Sequence, residues 1–196
     1  MAEKKLSEFP EIPLGGNLTS VKFPVLDGSA NKLLAPATLF GQYGARGHFS
    51  ALHLADVAVT NTATALTFNT NDVDSAYGIT HSTSTNPTRF VVAKAGTYEL
   101  NLKAVVECLT VNPDKLYFWL RKNGTTVVDN SATEIDMHGV GISNFASAFV
   151  VSGLAVNDYI EVMCQATNNS EYSLNFTTAT GGRPNIPAVS LTIKGW

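Results

Sequence analysis

The chain has 196 residues, 44% of them hydrophobic and only 15% charged, with a formal net charge of −3. This is enough apolar material for one large domain, or a domain plus an extension, and it disfavours general disorder. The balance offers phosphates no basic stripe, so nucleic-acid binding is also disfavoured. No run approaches the roughly 18 apolar residues of a membrane span.

"MAEKKLSEFPEIPLGG" lacks the apolar centre of a secretory signal, so a soluble chain made in a cytoplasm is expected. Residues 1–40 carry four of the eight prolines and no long periodic pattern. Proline removes a ladder donor and breaks helices, so short extended pieces and turns are expected there, including a tight turn at Asp27-Gly28. Apolar side chains still recur, among them Leu6, Phe9, Ile12, Val21, Phe23, Val25 and Leu26. A solvated linker has no use for these, so the segment is expected to pack on its own domain or on a partner. "GQYGARG", residues 41–47, has three glycines in seven positions and reads as a hinge.

From residue 48 to 196 strands follow one another. "HFSALHLADVAVT", "TATALTFN" and "TRFVVA" precede "TYELNLKAVVECL", in which Tyr98, Leu100, Leu102, Ala104, Val106 and Cys108 share one face. That period of two marks a half-buried strand. "KLYFWLRK", "TTVVD", "NFASAFVV", "DYIEVMCQA", "EYSLNFTT" and "AVSLTI" complete the series, mostly separated by Gly, Asn, Asp or Pro. No window carries a capped 3.6-residue stripe, so the chain is expected to be all-β.

"DKLYFWLRKNGTTV" has large side chains on both strand faces. Leu116, Phe118 and Leu120 point one way, while Tyr117, Trp119 and Arg121 point the other. Asn123-Gly124 then supplies the two left-handed residues of a type I′ turn. The first face feeds a core; the second needs cover, from a neighbouring subunit or from a loop of the same chain. Cys108 and Cys164, each inside an apolar run, read as buried small hydrophobes in preference to a disulfide.

Signs of enzyme chemistry are weak. His48 and His53, five apart, point to opposite strand faces. Asp72 and Asp74 in "NTNDVDSAYG" lack the Gly and bidentate Glu of a calcium loop. There is no HExxH, paired CxxC, GxSxG or phosphate-cradling loop, so no catalytic residue, cofactor or metal is expected. A threefold axis would present His138, His48 or His53 three times, the one route to an ion site.

"KAGTYELNLKAVV", "LYFWLRKNGTTV", "VSGLAVNDYIEVMC" and "PAVSLTIKGW", in this order, resemble the trimeric jelly rolls of the tumour-necrosis-factor and complement globular-head type, as used in bacteriophage virion proteins. The resemblance spans residues 48–196. It implies a two-sheet jelly-roll sandwich of about ten strands, assembled as a homotrimer, with an irregular N-terminal anchoring extension. "KLSEFPEIP…LTSVKFPVLDGSANKLL" resembles the leading segment by which phage fibres attach to the particle.

The expected function is therefore a structural capsid decoration, or head-fibre, protein located in the virion and non-catalytic. Its partners would be two further copies of itself and the major capsid protein or another virion protein. Leu6, Phe9, Ile12, Val21, Phe23, Val25 and Leu26 would anchor it, and Tyr98, Tyr117 and Trp119 would lie at the trimer interface. The alternative is a short tail fibre recognising host surface glycan, with Tyr77, Tyr172 and Arg183 as contacts.

Overall fold

A computed structural model of the chain describes residues 23–26, 31–34, 48–74 and 78–195, with the first two segments and Asp74 described as backbone. The chain divides into two units, Met1–Ala45 and Arg46–Trp196. In the first, β1 (Phe23–Leu26) pairs antiparallel with β2 (Asn31–Leu34), Leu26 opposite Asn31. Pro24 is tolerated because a two-stranded ribbon leaves an outer edge on each strand. The turn expected at Asp27-Gly28 lies outside the described residues, as does the 41–47 stretch.

The described part of the second unit has no helix. Its strands begin with β3 (His48–His53), β4 (Val57–Ala58), β5 (Thr64–Ala65), β6 (Thr70–Asp74), β7 (Ile79–Thr80) and β8 (Phe90–Val92). The long β9 (Gly96–Cys108) and β10 (Leu116–Lys122) follow, then β11 (Thr126–Val127) and β12 (Thr133–Ile135). β13 (Gly141–Leu154), β14 (Tyr159–Ala166), β15 (Tyr172–Leu174) and β16 (Val189–Gly195) complete the series. Ten of these have three or more residues, and β4, β5, β7 and β11 are two-residue pieces.

Two antiparallel sheets result. The first runs β11-β10-β14-β8-β7, with β12 also on β10 and β5 also on β14. The second runs β4-β15-β9-β16-β3-β6, with β13 along the other flank of β9. This is the two-sheet jelly-roll sandwich that the resemblance implied, and the all-β class expected from the strand pattern.

The core forms because each inward face alternates as read. Tyr98, Leu100, Leu102, Ala104, Val106 and Cys108 of β9 are buried, and so are Leu116, Phe118 and Leu120 of β10. They meet Val189, Leu191 and Ile193 of β16 and Ile160, Val162, Cys164 and Ala166 of β14. Each fully buried Leu or Phe contributes about 1.5–3 kcal/mol. Both cysteines are free thiols, and burial pushes the Cys164 thiol up to about 12.

Two turns at one end of the first sheet are tied together. Asn123 and Gly124 have φ of 51° and 74°, as a type I′ turn requires, and Thr125 N–H donates to Lys122 O at 3.2 Å. A Cβ on Gly124 would stand 2.7 Å from Tyr159 Oη, so space as well as φ selects glycine. In the neighbouring turn Asn157 has φ 71°. The Asn123 amide bridges the two, donating to Asp158 Oδ1 and accepting from Tyr159 N–H. Ala155 N–H and Lys122 Nζ hold the other carboxylate oxygen, at 2.8 and 2.6 Å. The Asn123 hydrogen bond, then Lys122, then the Ala155 amide bring the Asp158 carboxyl down to about 2.

Candidate interaction surfaces

Each sheet turns one face to the core and one away from it, and the two outward faces are built differently. On the first sheet the outward residues of β10 meet those of β14 in rows: Tyr117 opposite Gln165, Trp119 opposite Met163, Arg121 opposite Glu161. Beyond Met163 the next strand offers Ala65, and beyond Tyr117 stands Glu134. Met163 is 1% exposed although it belongs to the outer face, which leaves it under its neighbours' side chains. Tyr117 and Trp119 are half-buried.

The same face buries a carboxylate. Glu161 Oε2 accepts from Arg121 Nε at 3.1 Å and Nη2 at 2.8 Å, and Oε1 accepts from Thr88 Oγ1 at 2.8 Å. The Arg89 guanidinium lies 3.8 Å from Oε1 and 4.5 Å from the centre of the Tyr159 ring. A carboxylate so enclosed is tolerated because its lone pairs are met by charged and neutral donors.

On the second sheet, outward residues stand in the open. β13 pairs with β9 from Gly141 to Leu154, and among the described residues no strand pairs with its other edge. Its inward Phe149 and Val151 are buried, while Ile142 and Val150 are 61% and 67% exposed. Asn144, Ala146 and Ala148 between them are exposed too. A groove of about 380 Å³ runs beside them, lined by Lys103, Val105, Ala146, Ile186, Pro187 and Ser190 among others. Along β13 small side chains lie between two β-branched aliphatics, and the outward residues opposite them on β9 are Glu107, Val105, Lys103, Asn101 and Glu99.

Two expected contact residues are corrected. Tyr98 is 3% exposed, and its hydroxyl donates to Gly78 O at 3.1 Å and Lys94 O at 2.5 Å. Its ring lies on the core face of β9, so it has no surface to give to a subunit interface. Tyr172 is 1% exposed and its hydroxyl donates to Asp114 O, so it cannot stack on a sugar. Burial raises both phenols above their ordinary range.

Within one chain Tyr98, Leu116, Phe118 and Leu120 are buried, and Tyr117 and Trp119 are half-covered. Among the described residues, the large exposed aliphatics Ile142 and Val150 are on β13, while Leu109, Val111, Val127, Val140, Val156 and Ile186 lie elsewhere. That signal was present in "GISNFASAFVVSGL", whose alternate residues are small or apolar on both faces, but sequence reading followed the larger aromatic side chains.

Arg183 is exposed at the end of a tight turn in which Gly181 and Gly182 both have positive φ and Arg183 N–H donates to Thr180 O at 3.0 Å. Tyr77, Leu6, Phe9, Ile12 and Val21 lie outside the described residues, and Phe23, Val25 and Leu26 lie on the backbone of β1. Of the histidines, His53 Nδ1 faces Thr67 O at 2.8 Å, and His138 is exposed 3.5 Å from Asp136. His81 stacks on Phe90 at 4.6 Å with its ring nitrogens at Asn71 Oδ1 and Pro87 O, a structural tie between loops. Among the described residues no three His, Cys, Asp or Glu side chains converge as metal ligands.

No family model matches the chain, and no curated protein matches its sequence. Solved structures do match in fold. The globular domain of zebrafish complement 1qA protein superposes with a TM-score of 0.50 at 12% identity, over 76% of this chain and 96% of that one. Murine APRIL gives a TM-score of 0.52 at 11% identity, over 78% of this chain and 100% of that one. The likeness is one of architecture, the complement-head and tumour-necrosis-factor type of jelly roll.

Proposed function

We propose that the chain is a non-catalytic structural protein that assembles as a homotrimer and decorates a phage capsid, residues 48–196 forming the displayed jelly roll and residues 1–40 the attachment. The observation that carries the assembly part is the outward face of the second sheet. A 14-residue edge strand with exposed Ile142 and Val150, beside small alanines and an apolar groove, is a surface that single subunits rarely leave in water. Covering it with a second copy removes both the apolar area and the open edge, and three copies close the arrangement into a ring without leftover surface. The trimer interface is therefore assigned to β13 and the groove beside it, in place of Tyr98, Tyr117 and Trp119.

The attachment part rests on residues 1–40, where apolar side chains recur among four prolines and which include the β1–β2 ribbon.

One experiment tests both parts. The full chain is expected to sediment at three times its 20.9 kDa mass and to load onto capsids in many copies, and deletion of residues 1–40 is expected to keep the trimer mass while losing the loading. Normal loading by the deleted form defeats the anchoring role, and a single-subunit mass of the full chain defeats the assembly.

A further inference from the structure

The geometry points to a binding shelf for an acidic saccharide, a sugar ring bearing a carboxylate, on the outward face of the first sheet. The shelf is centred on Trp119 with Arg89 as the charge contact. It lies apart from the β13 face, and it is not one of the loop sites that the sequence suggested.

Three features converge there. Trp119 stands in a row with Met163 on one side and, past it, Ala65. Met163 is wholly buried and Ala65 is short, so the indole is the prominent side chain of its row. A half-covered indole set above a small neighbour offers the flat apolar plane on which the C–H face of a pyranose stacks.

Polar groups flank that plane at the spacing of adjacent rows. On one side stand Tyr117, Glu134 and Gln165; the amide nitrogen of Gln165 is spent on Asn61 O at 2.8 Å, and its amide oxygen has no donor among the described residues. On the other side stand Arg121 and Arg89. A few fixed polar groups around an apolar plane orient a polyhydroxylated ligand.

The charge on the face then selects the kind of saccharide. Lys115 is matched by Glu134, and Arg121 is matched by Glu161. Arg89 is left over. Glu161 has already taken two donors from Arg121 and one from Thr88, and the Arg89 side chain, 41% exposed, stays 3.8 Å from it. Its position over the Tyr159 ring holds the guanidinium in place while the side chain stays partly open to solvent. Around Glu161 the two guanidiniums leave one positive charge in excess on a chain of net −3, a local complement to a carboxylate. One excess charge is far short of what a polynucleotide backbone engages, so a nucleic acid is the disfavoured occupant.

The chain has two tryptophans, Trp119 and Trp196, so each indole N–H is resolvable in a ¹H–¹⁵N spectrum of the full-length protein. Titration with tetragalacturonate and with a hyaluronate tetrasaccharide is expected to move the Trp119 resonance and leave that of Trp196. Maltotetraose is expected to bind several-fold more weakly, and added salt should narrow the gap. Trp119→Leu, which keeps an apolar cover on Met163 if Trp119→Ala unfolds, should weaken binding by about tenfold. Arg89→Ala should erase the preference for the acidic sugars.

The proposal is overturned by a motionless Trp119 resonance at about 10 mM of either acidic saccharide, the weak end of specific binding. Equal binding of maltotetraose, or tighter binding of oligothymidylate, overturns it too. A Trp119→Leu protein that loses subunits in sedimentation shows this face to be an interface, which also overturns it and is separable from failure of the β13 assembly.

Discussion

The outward faces of the two sheets began from similar sequence patterns and reached opposite solutions. On the first sheet, large side chains cover one another: Met163 disappears under its neighbours, and Glu161 is enclosed by Arg121 and Thr88. On the second, the residues of β13 are small or β-branched and cover nothing, so Ile142 and Val150 remain in water. The first face is finished within one chain; the second is finished only by something else. Side-chain size, more than hydrophobicity, separates a surface that closes itself from one that needs a partner, because long side chains reach across strand rows and alanine does not.

That contrast can be broken outright at β13. Val150→Asp places a charge where burial against a copy is expected, and it should convert the sedimenting species to single subunits, a loss of association of a hundredfold or more, on the order of the several kcal/mol for burying an unpaired charge. The folded protomer should survive, since Val150 is 67% exposed within it. A trimer that persists in Val150→Asp would place the interface elsewhere.

Alanine substitution sharpens the contrast at a smaller scale. Met163→Ala should lower unfolding stability by about 2–4 kcal/mol, as a core residue would, despite its place on the outer face. The same measurement by denaturant titration on the Val150→Asp background should give Ile142→Ala a change within about 0.5 kcal/mol. Equal costs would remove the distinction between the faces.

The smallest effect is electrostatic and lies at the end of the first sheet. The folded-state Asp158 carboxyl sits at about 2, below the ordinary value of 3.8, so its contribution is fully present above pH 4 and is lost as pH falls toward 2. Asp158→Asn should therefore flatten the stability profile across that window and leave it parallel to the parent above it. A parallel profile throughout would mean that the carboxylate does not tie the turns.

Most of the fold was legible because its signals are local. The alternation from Tyr98 to Cys108 phases β9, and Asn123-Gly124 marks a turn whose two positive φ values few other residues supply. Register and cover were not legible, because they depend on pairs far apart in the chain. Nothing in "YIEVMCQ" marks Glu161 as buried, and the pairing that encloses it is with Arg121, 40 positions away. Tyr172 in "EYSL" reads as a presented aromatic until Asp114, 58 positions away, is found to accept its hydroxyl. For the surfaces, large side chains drew the reading toward the first sheet, whereas the exposed apolar strand is made of small ones.

The place of β16 has a consequence for how the molecule is made. It lies between β3 and β9, with Val189 opposite both His53 and Ala104. During synthesis β3 can pair early with β6, and β9 with β13, but the strand that joins these two halves of the sheet is made last. Such distant pairing implies slow maturation and a long interval in which an unfinished sheet is open to wrong partners, so protection of the nascent chain would govern yield more than the stability of the finished protein.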